Sequence, residues 1–211
     1  MNKNIILTTI FFGAIWGILE ATLGYLLQFL PPLVSGSIMF PIGASLLILV
    51  YLNTHSKSSV LWVGVIAASI KSINFFMPGL LPIKTYNPMI SIMLQSMVMV
   101  GVCYLMDQKK ATLPLLGLVL SSFVWRVLFY INISINHALT GFPFPQMSSS
   151  AATLSFIFFY GLMGAVFAML LYGLILWMKN RVVFAYRPKL YLSLAMLILA
   201  LTLTFYLQLI G

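Results

Sequence analysis

A chain of 211 residues with 62% hydrophobic side chains and a mean hydropathy of +1.10 carries more apolar surface than a soluble domain of that length can bury. Eleven Lys and Arg against only two Asp and Glu leave too few acids for two-carboxylate catalysis or a multi-acid magnesium site. The net charge of +9 sits between apolar blocks, with no basic run interleaved with aromatics, so it points to membrane topology and away from nucleic acid.

A membrane-crossing helix takes roughly 20 residues. Continuous apolar segments predict an all-α integral membrane protein of one domain, 1–211, with spans near 5–30, 36–52, 60–77, 89–106, 113–135, 151–178 and 190–210. The first run has a single preceding cation, Lys3, holds Glu20 and lacks a small-residue cleavage site, so it is expected to stay as a helix. The second run is the shortest. Breaks fall at Pro31 and Pro32, Asn53 to Ser59, Pro78 to Pro88, Asp107 to Thr112, Asn136 to Ser150 and Lys179 to Lys189. The last run is uncharged and follows a basic loop, which predicts a lipid-facing helix over 190–210 appended to a six-span core over 1–178.

Placing the N-terminus in the cytoplasm puts Lys3, Lys57, Lys109, Lys110, Lys179, Arg181, Arg187 and Lys189 on one side and only Lys84 on the other. Such a split follows the positive-inside rule, and seven spans then leave the C-terminus outside.

Three charges remain inside spans: Glu20, Lys71 and Arg126. A lone charge there costs at least ~2.5 kcal/mol. Counting ~1.5 Å per residue from the cytoplasmic ends places Glu20 ~22 Å, Lys71 ~16 Å, Arg126 ~20 Å and Gln95 ~16 Å into a core of ~30 Å. Each has a polar or aromatic neighbour one helical turn away: Trp16, Asn74, Tyr130 and Ser91 respectively. Above them lie two polar outer loops, one with Lys84, Tyr86 and Asn87, the other with Asn136, His137 and Gln146. Together these groups predict a polar cavity that opens outward. Glu20 can answer one of the two cations, and such a pair can equally serve only to hold the bundle. An external ligand bearing a carboxylate, phosphate or other electron-rich acceptor would balance the second cation. His137 fits a surface histidine as well as a ligand contact.

Gly13, Gly17, Ala21 and Gly24 recur at spacings of four, four and three, which makes a groove on the first helix for close approach of another helix. That helix can belong to this bundle or to a separate subunit. Met89, Met93, Met97 and Met99 suit adaptable packing, and Cys103 suits a small core hydrophobe. No P-loop or HExxH pattern occurs. The two histidines, His55 and His137, fall on opposite sides, which argues against a Ser-His hydrolase. No His or Cys cluster offers a metal site, and no cofactor is expected.

The stretch GAIWGILEATLGYLL from Gly13 to Leu27, then SGSIMFPIGASLLIL from Ser35 and NPMISIMLQSMVMVG from Asn87, resembles an S component of an energy-coupling factor (ECF) transporter. The resemblance covers about the first 110 residues by text and the first six spans by organisation. It implies a six-helix bundle that captures a vitamin, vitamin precursor or metal ion near its outer face. A separate coupling membrane subunit and two ATPase subunits would drive transport, with the S component toppling to release substrate inward. The family's first helix commonly carries an alanine-x-x-x-alanine contact with the coupling subunit. Here glycine replaces alanine at Gly13 and Gly17, with Ala21 one turn on, and the seventh span departs from the usual six.

The sequence therefore predicts a substrate-capturing subunit for a small water-soluble nutrient. Glu20, Lys71, Gln95 and Arg126 form the floor, Asn74 and Tyr130 the walls, and the loop from Pro78 to Pro88 part of a lid. The lipid bilayer and the ECF subunits are the expected partners. The rivals are a self-contained secondary carrier, proton-coupled through Glu20, and a membrane enzyme or assembly factor acting on lipids.

Overall fold

The structure is a computed structural model that describes residues 2–77, 81–108, 110–179 and 188–210. Within them the chain is helical, with seven helices long and apolar enough to cross a membrane. It has the character of a multi-pass membrane protein.

Helix α1, Lys3–Leu26, starts on an Asn2 side chain that accepts a hydrogen bond from the amide of Asn4. Helix α2, Pro32–Thr54, begins with proline at its first turn, where the missing N–H does no harm. For that reason the second span is longer than the sequence breaks suggest. Pro41 lies inside α2 and removes the amide that would bond the Ser37 carbonyl, which loosens the helix at that level. Helix α3, Lys57–Lys71, is capped by Ser56 and continues as a 3₁₀ turn over Ser72–Phe76.

Helix α4, Pro82–Met106, also starts on proline. This corrects the expectation of a loop from Pro78 to Pro88: Lys84, Tyr86 and Asn87 ride on the first turns of α4, and 78–80 lie outside the described residues. Helix α5, Thr112–Thr140, runs further than expected and ends where Gly141 takes a left-handed conformation, φ 69°, and its N–H bonds the His137 carbonyl. Asn136 and His137 are therefore helical and not in a loop. The sixth span, Ser150–Met178, is interrupted: α6, Ser150–Leu154, passes into a π-helical segment, Ser155–Phe159, before α7, Tyr160–Lys179. Helix α8, Leu190–Ile210, completes the chain.

The start of α1, the α2–α3 and α4–α5 turns and the start of α8 share one end of the bundle. Two contacts fix this: Asp107, just past α4, meets both Tyr51 of α2 and Lys57 of α3, and the Ser193 hydroxyl of α8 donates to the Leu7 carbonyl of α1 at 3.0 Å. Of the cations assigned to that end, Lys109, Arg181 and Arg187 lie outside the described residues.

The main core gathers Phe12, Trp16, Phe40, Leu47, Trp125 and Phe156, among others, from α1, α2, α5 and span six. A smaller core joins Ala14 of α1, Ile70 of α3 and Ala200 of α8. Helix α8 thus packs on α1 through small, fully buried residues while most of its large side chains stay exposed.

Candidate functional site

Three helices bring polar groups near Trp16, which is fully buried, and a fourth closes in through a glycine. Trp16 and Glu20 are one turn apart on α1, and the indole Nε1 donates to Glu20 Oε1 at 3.3 Å. From α3, Lys71 lies in the electrostatic field of Glu20, although the two make no direct ion pair. Lys71 is the last residue of α3, at the end where the helix dipole favours a cation. Asn74, on the following 3₁₀ turn, is buried beside this level.

From α4, Gln95 is 2% exposed; its Nε2 donates to Ser91 Oγ at 2.9 Å, and its Oε1 is buried with no hydrogen-bond partner. From α2, Gly43 closes the gap. A Cβ there would stand 2.7 Å from Trp16 Cζ2 and 3.4 Å from Gln95 Oε1, so only glycine lets the α2 backbone come this near. Glu20 is thus linked to Lys71 through its electrostatic field and to the surroundings of Gln95 through Trp16 and Gly43.

Arg126 is placed differently. It is fully buried on α5 and finds its acceptors on α2 and span six: Nη2 donates to Ser37 Oγ at 2.8 Å and Nη1 to the Phe156 carbonyl at 3.1 Å. Its guanidinium carbon lies 4.8 Å from the Trp125 ring centroid and 5.0 Å from that of Phe156, within cation–π range. The Ser37 hydroxyl donates onward to the Tyr160 carbonyl at 3.0 Å, and Ser122 to that of Gly161 at 2.7 Å. Three side chains thus hold three carbonyls in or beside the π segment, whose widened turn disturbs the normal i to i−4 ladder. Arg126 is met by one carbonyl, one hydroxyl and two aromatic rings and by no carboxylate, and its Nε is buried without a hydrogen-bond partner. Ser37 and the π segment are the partners that side-chain reasoning missed. The SGS at Ser35–Ser37 was a weak signal, and the Phe156 carbonyl, a backbone group, left none.

A second group of polar residues lies at the end of the bundle opposite the basic turns. Tyr86 on α4 donates to Asn132 Oδ1 at 3.1 Å, and Asn136 Nδ2 donates to the Asn132 carbonyl at 2.9 Å. Thr153 on α6 donates to the Gln146 carbonyl at 3.0 Å and lies 3.4 Å from the Tyr130 hydroxyl. Thr85 Oγ1, Asn87 Oδ1, Asn132 Nδ2 and Gln146 Oε1 are buried without a hydrogen-bond partner. Lys84 and His137 are exposed, and the imidazole Nδ1 of His137 is hydrogen-bonded to the Phe142 carbonyl at 2.8 Å. Asn132 and Thr153 join the candidate residues here; as single polar residues in apolar runs they carried no distinguishing pattern.

The small-residue groove is used within the chain. A Cβ on Gly13 would meet Ile66 Cγ2 at 2.7 Å and one on Gly17 would meet Ile70 Cδ1 at 2.6 Å, so α3 fills both positions. Ala21 is buried, and Gly24 lies near the Glu20 carboxylate. Of the two occupants the spacing allows, the packing places a neighbour from the same bundle at Gly13 and Gly17.

At the opposite end, Asp107 accepts a hydrogen bond from Tyr51 and pairs with Lys57, whose ammonium also sits 4.1 Å from the Tyr104 ring centroid. The hydrogen bond from Lys57, then that from Tyr51, hold the Asp107 carboxyl below the ordinary carboxylate range. Among the described residues no three of His, Cys, Asp and Glu gather as a metal would require. The chain matches no family model, no curated protein and no solved structure.

Proposed function

We propose that this chain is the substrate-capturing membrane subunit of an ECF-type importer and takes up a small water-soluble nutrient, a vitamin or vitamin precursor. The observation that carries this is the convergence of Glu20, Lys71 and Gln95, from three helices, around the buried Trp16. Ionisable groups within a membrane bundle are expensive, and they commonly mark substrate or ion pathways. The polar group around Tyr86, Tyr130 and Asn136, toward the end opposite the basic turns, is compatible with an approach from that face. The sequence resemblance of Gly13–Leu27 and Asn87–Gly101 to S components supports the same function.

On this account the protein sits in the cell membrane with its N-terminus in the cytoplasm and its C-terminus outside. It is not itself an enzyme and relies on a coupling membrane subunit and two ATPase subunits for energy. Because α3 covers Gly13 and Gly17, the coupling subunit contacts another surface of the bundle. Reconstitution tests the proposal: uptake into liposomes should require the coupling subunit and ATPases, and the chain alone should bind substrate without accumulating it.

The absence of a direct Glu20–Lys71 ion pair favours one second reading, a self-contained carrier in which Glu20 takes and releases a proton. Accumulation by the chain alone, driven by a proton gradient, would establish that reading instead.

A further inference from the structure

We propose that the captured molecule is uncharged and is held at the amide stripe of α4, to which it donates hydrogen bonds. The proposal rests on the capture function above and gives it a substrate class.

An anionic substrate needs a cation that is free to meet it. Arg126 is enclosed within the bundle, with Nη2 held by Ser37, Nη1 by the Phe156 carbonyl and the Trp125 and Phe156 rings beside it, and its Nε is buried without a hydrogen-bond partner in that same enclosure. Lys71 lies in the field of Glu20, so its charge is already opposed by that carboxyl. An anion brought to this level would also meet Glu20. A cationic substrate would meet Lys71 in the same way. The pair makes the floor close to neutral, and a neutral molecule enters it without a net electrostatic penalty.

Asn87, Ser91 and Gln95 follow one another at intervals of four and so share one face of α4, descending roughly 12 Å from the outer end to the floor. Ser91 occupies the Gln95 Nε2 donor, which leaves Gln95 Oε1 buried and unmet at the floor. Asn87 Oδ1 is buried and unmet at the top of the same face. Buried polar atoms are almost always paired, and here the unmet atoms on one helical face are both amide oxygens. They call for N–H or O–H donors. The neighbouring outer groups, the Thr85 hydroxyl and Asn132 Nδ2, are also uncharged and also unmet, and the latter can donate to a carbonyl or hydroxyl of the same molecule. The charged outer residues Lys84 and His137 are exposed at the surface.

Gly43 holds α2 against Trp16 and near Gln95 Oε1, so the α2 backbone closes one side of the amide and a bulky group there would displace it. A planar ring or a slender chain bearing N–H or O–H groups fits these constraints.

The test uses the full-length protein in nanodiscs, with equilibrium binding of matched neutral and carboxylate probes: nicotinamide and nicotinate, uracil and orotate, ribitol and ribonate, with choline as a cation. A neutral probe should bind at least tenfold more tightly than its carboxylate partner. Gln95→Leu and, separately, Asn87→Ala should each weaken that binding by about tenfold; Asn87 is only partly buried, so its variant stays informative if Gln95→Leu does not fold. Preferential binding of a carboxylate or of choline would overturn the neutral-substrate proposal while leaving capture intact. Unchanged affinity for a neutral probe in a folded Asn87→Ala variant would remove the α4 stripe and overturn it as well. Binding of no probe, with no small molecule retained by the purified protein, would overturn both this proposal and the capture function.

Discussion

Glu20 and Lys71 share an electrostatic field in the interior of the bundle without joining in an ion pair, and Glu20 instead accepts the Trp16 indole hydrogen at 3.3 Å. A pair that only stapled helices together would gain most from direct contact. Separation leaves each with hydrogen-bonding capacity that a neutral molecule can meet. Glu20→Gln and Lys71→Met are therefore expected to lower substrate affinity by tenfold or more while the protein remains monodisperse on size exclusion. Unfolding of both variants with no folded fraction to assay would instead identify the pair as structural.

Arg126 is expected to behave in the opposite way. Arg126→Met removes the donors to Ser37 and to the Phe156 carbonyl, and leaving buried acceptors unmet costs about 1–3 kcal/mol each. Thermal unfolding in detergent should show a clear loss of stability, and hydrogen exchange should rise across the π segment, Ser155–Phe159. Arg126→Lys should fall between the two, since one ammonium cannot reproduce the guanidinium fork. Wild-type stability in Arg126→Met would remove the arginine from its structural role.

Gly17 tests the packing of α1 on α3. A methyl group there would stand 2.6 Å from Ile70 Cδ1, so Gly17→Ala should destabilise by about 1–3 kcal/mol through overpacking. Ile70→Val, made in the same chain, should restore part of that loss, because the clash is with the far end of the isoleucine. An additive double variant would show that the two helices do not meet there.

Asp107 makes stability depend on pH at the basic end. Its folded carboxyl is held below the ordinary value of 3.8, with the hydrogen bond from Lys57 the larger cause and that from Tyr51 the next. A depressed value means that the contribution is fully present above 3.8 and is lost as pH falls through the lower folded value. Unfolding measured across that acid range should lose less stability in Asp107→Asn than in wild type. High salt should shrink the difference, because the ion pair is partly exposed.

The spans were legible because lipid-exposed and buried faces alike must be apolar, so each helix shows as a continuous run. Their ends were not. Pro32 and Pro82 look like breaks but serve as first-turn residues, and Asn136 to Thr140 look like loop yet continue α5 until Gly141 turns it. Depth counting brought Glu20, Lys71 and Gln95 to one level because a straight helix converts sequence distance to height at a fixed rise. It could not fix azimuth. Arg126 stood at a similar height yet turns toward Ser37 and a backbone carbonyl that no side-chain pattern reveals. Azimuth also settled the groove: spacing showed that Gly13 and Gly17 invite a close neighbour, and only packing identified it as α3.

The central claim is that Glu20, Lys71 and Gln95 form a capture site. Mass spectrometry of small molecules carried through purification tests it most directly. The account predicts one retained molecule, near equimolar with the wild-type chain and absent from folded Glu20→Gln and Lys71→Met. Equal retention by all three proteins, or none by the wild type under conditions that preserve its fold, would contradict it.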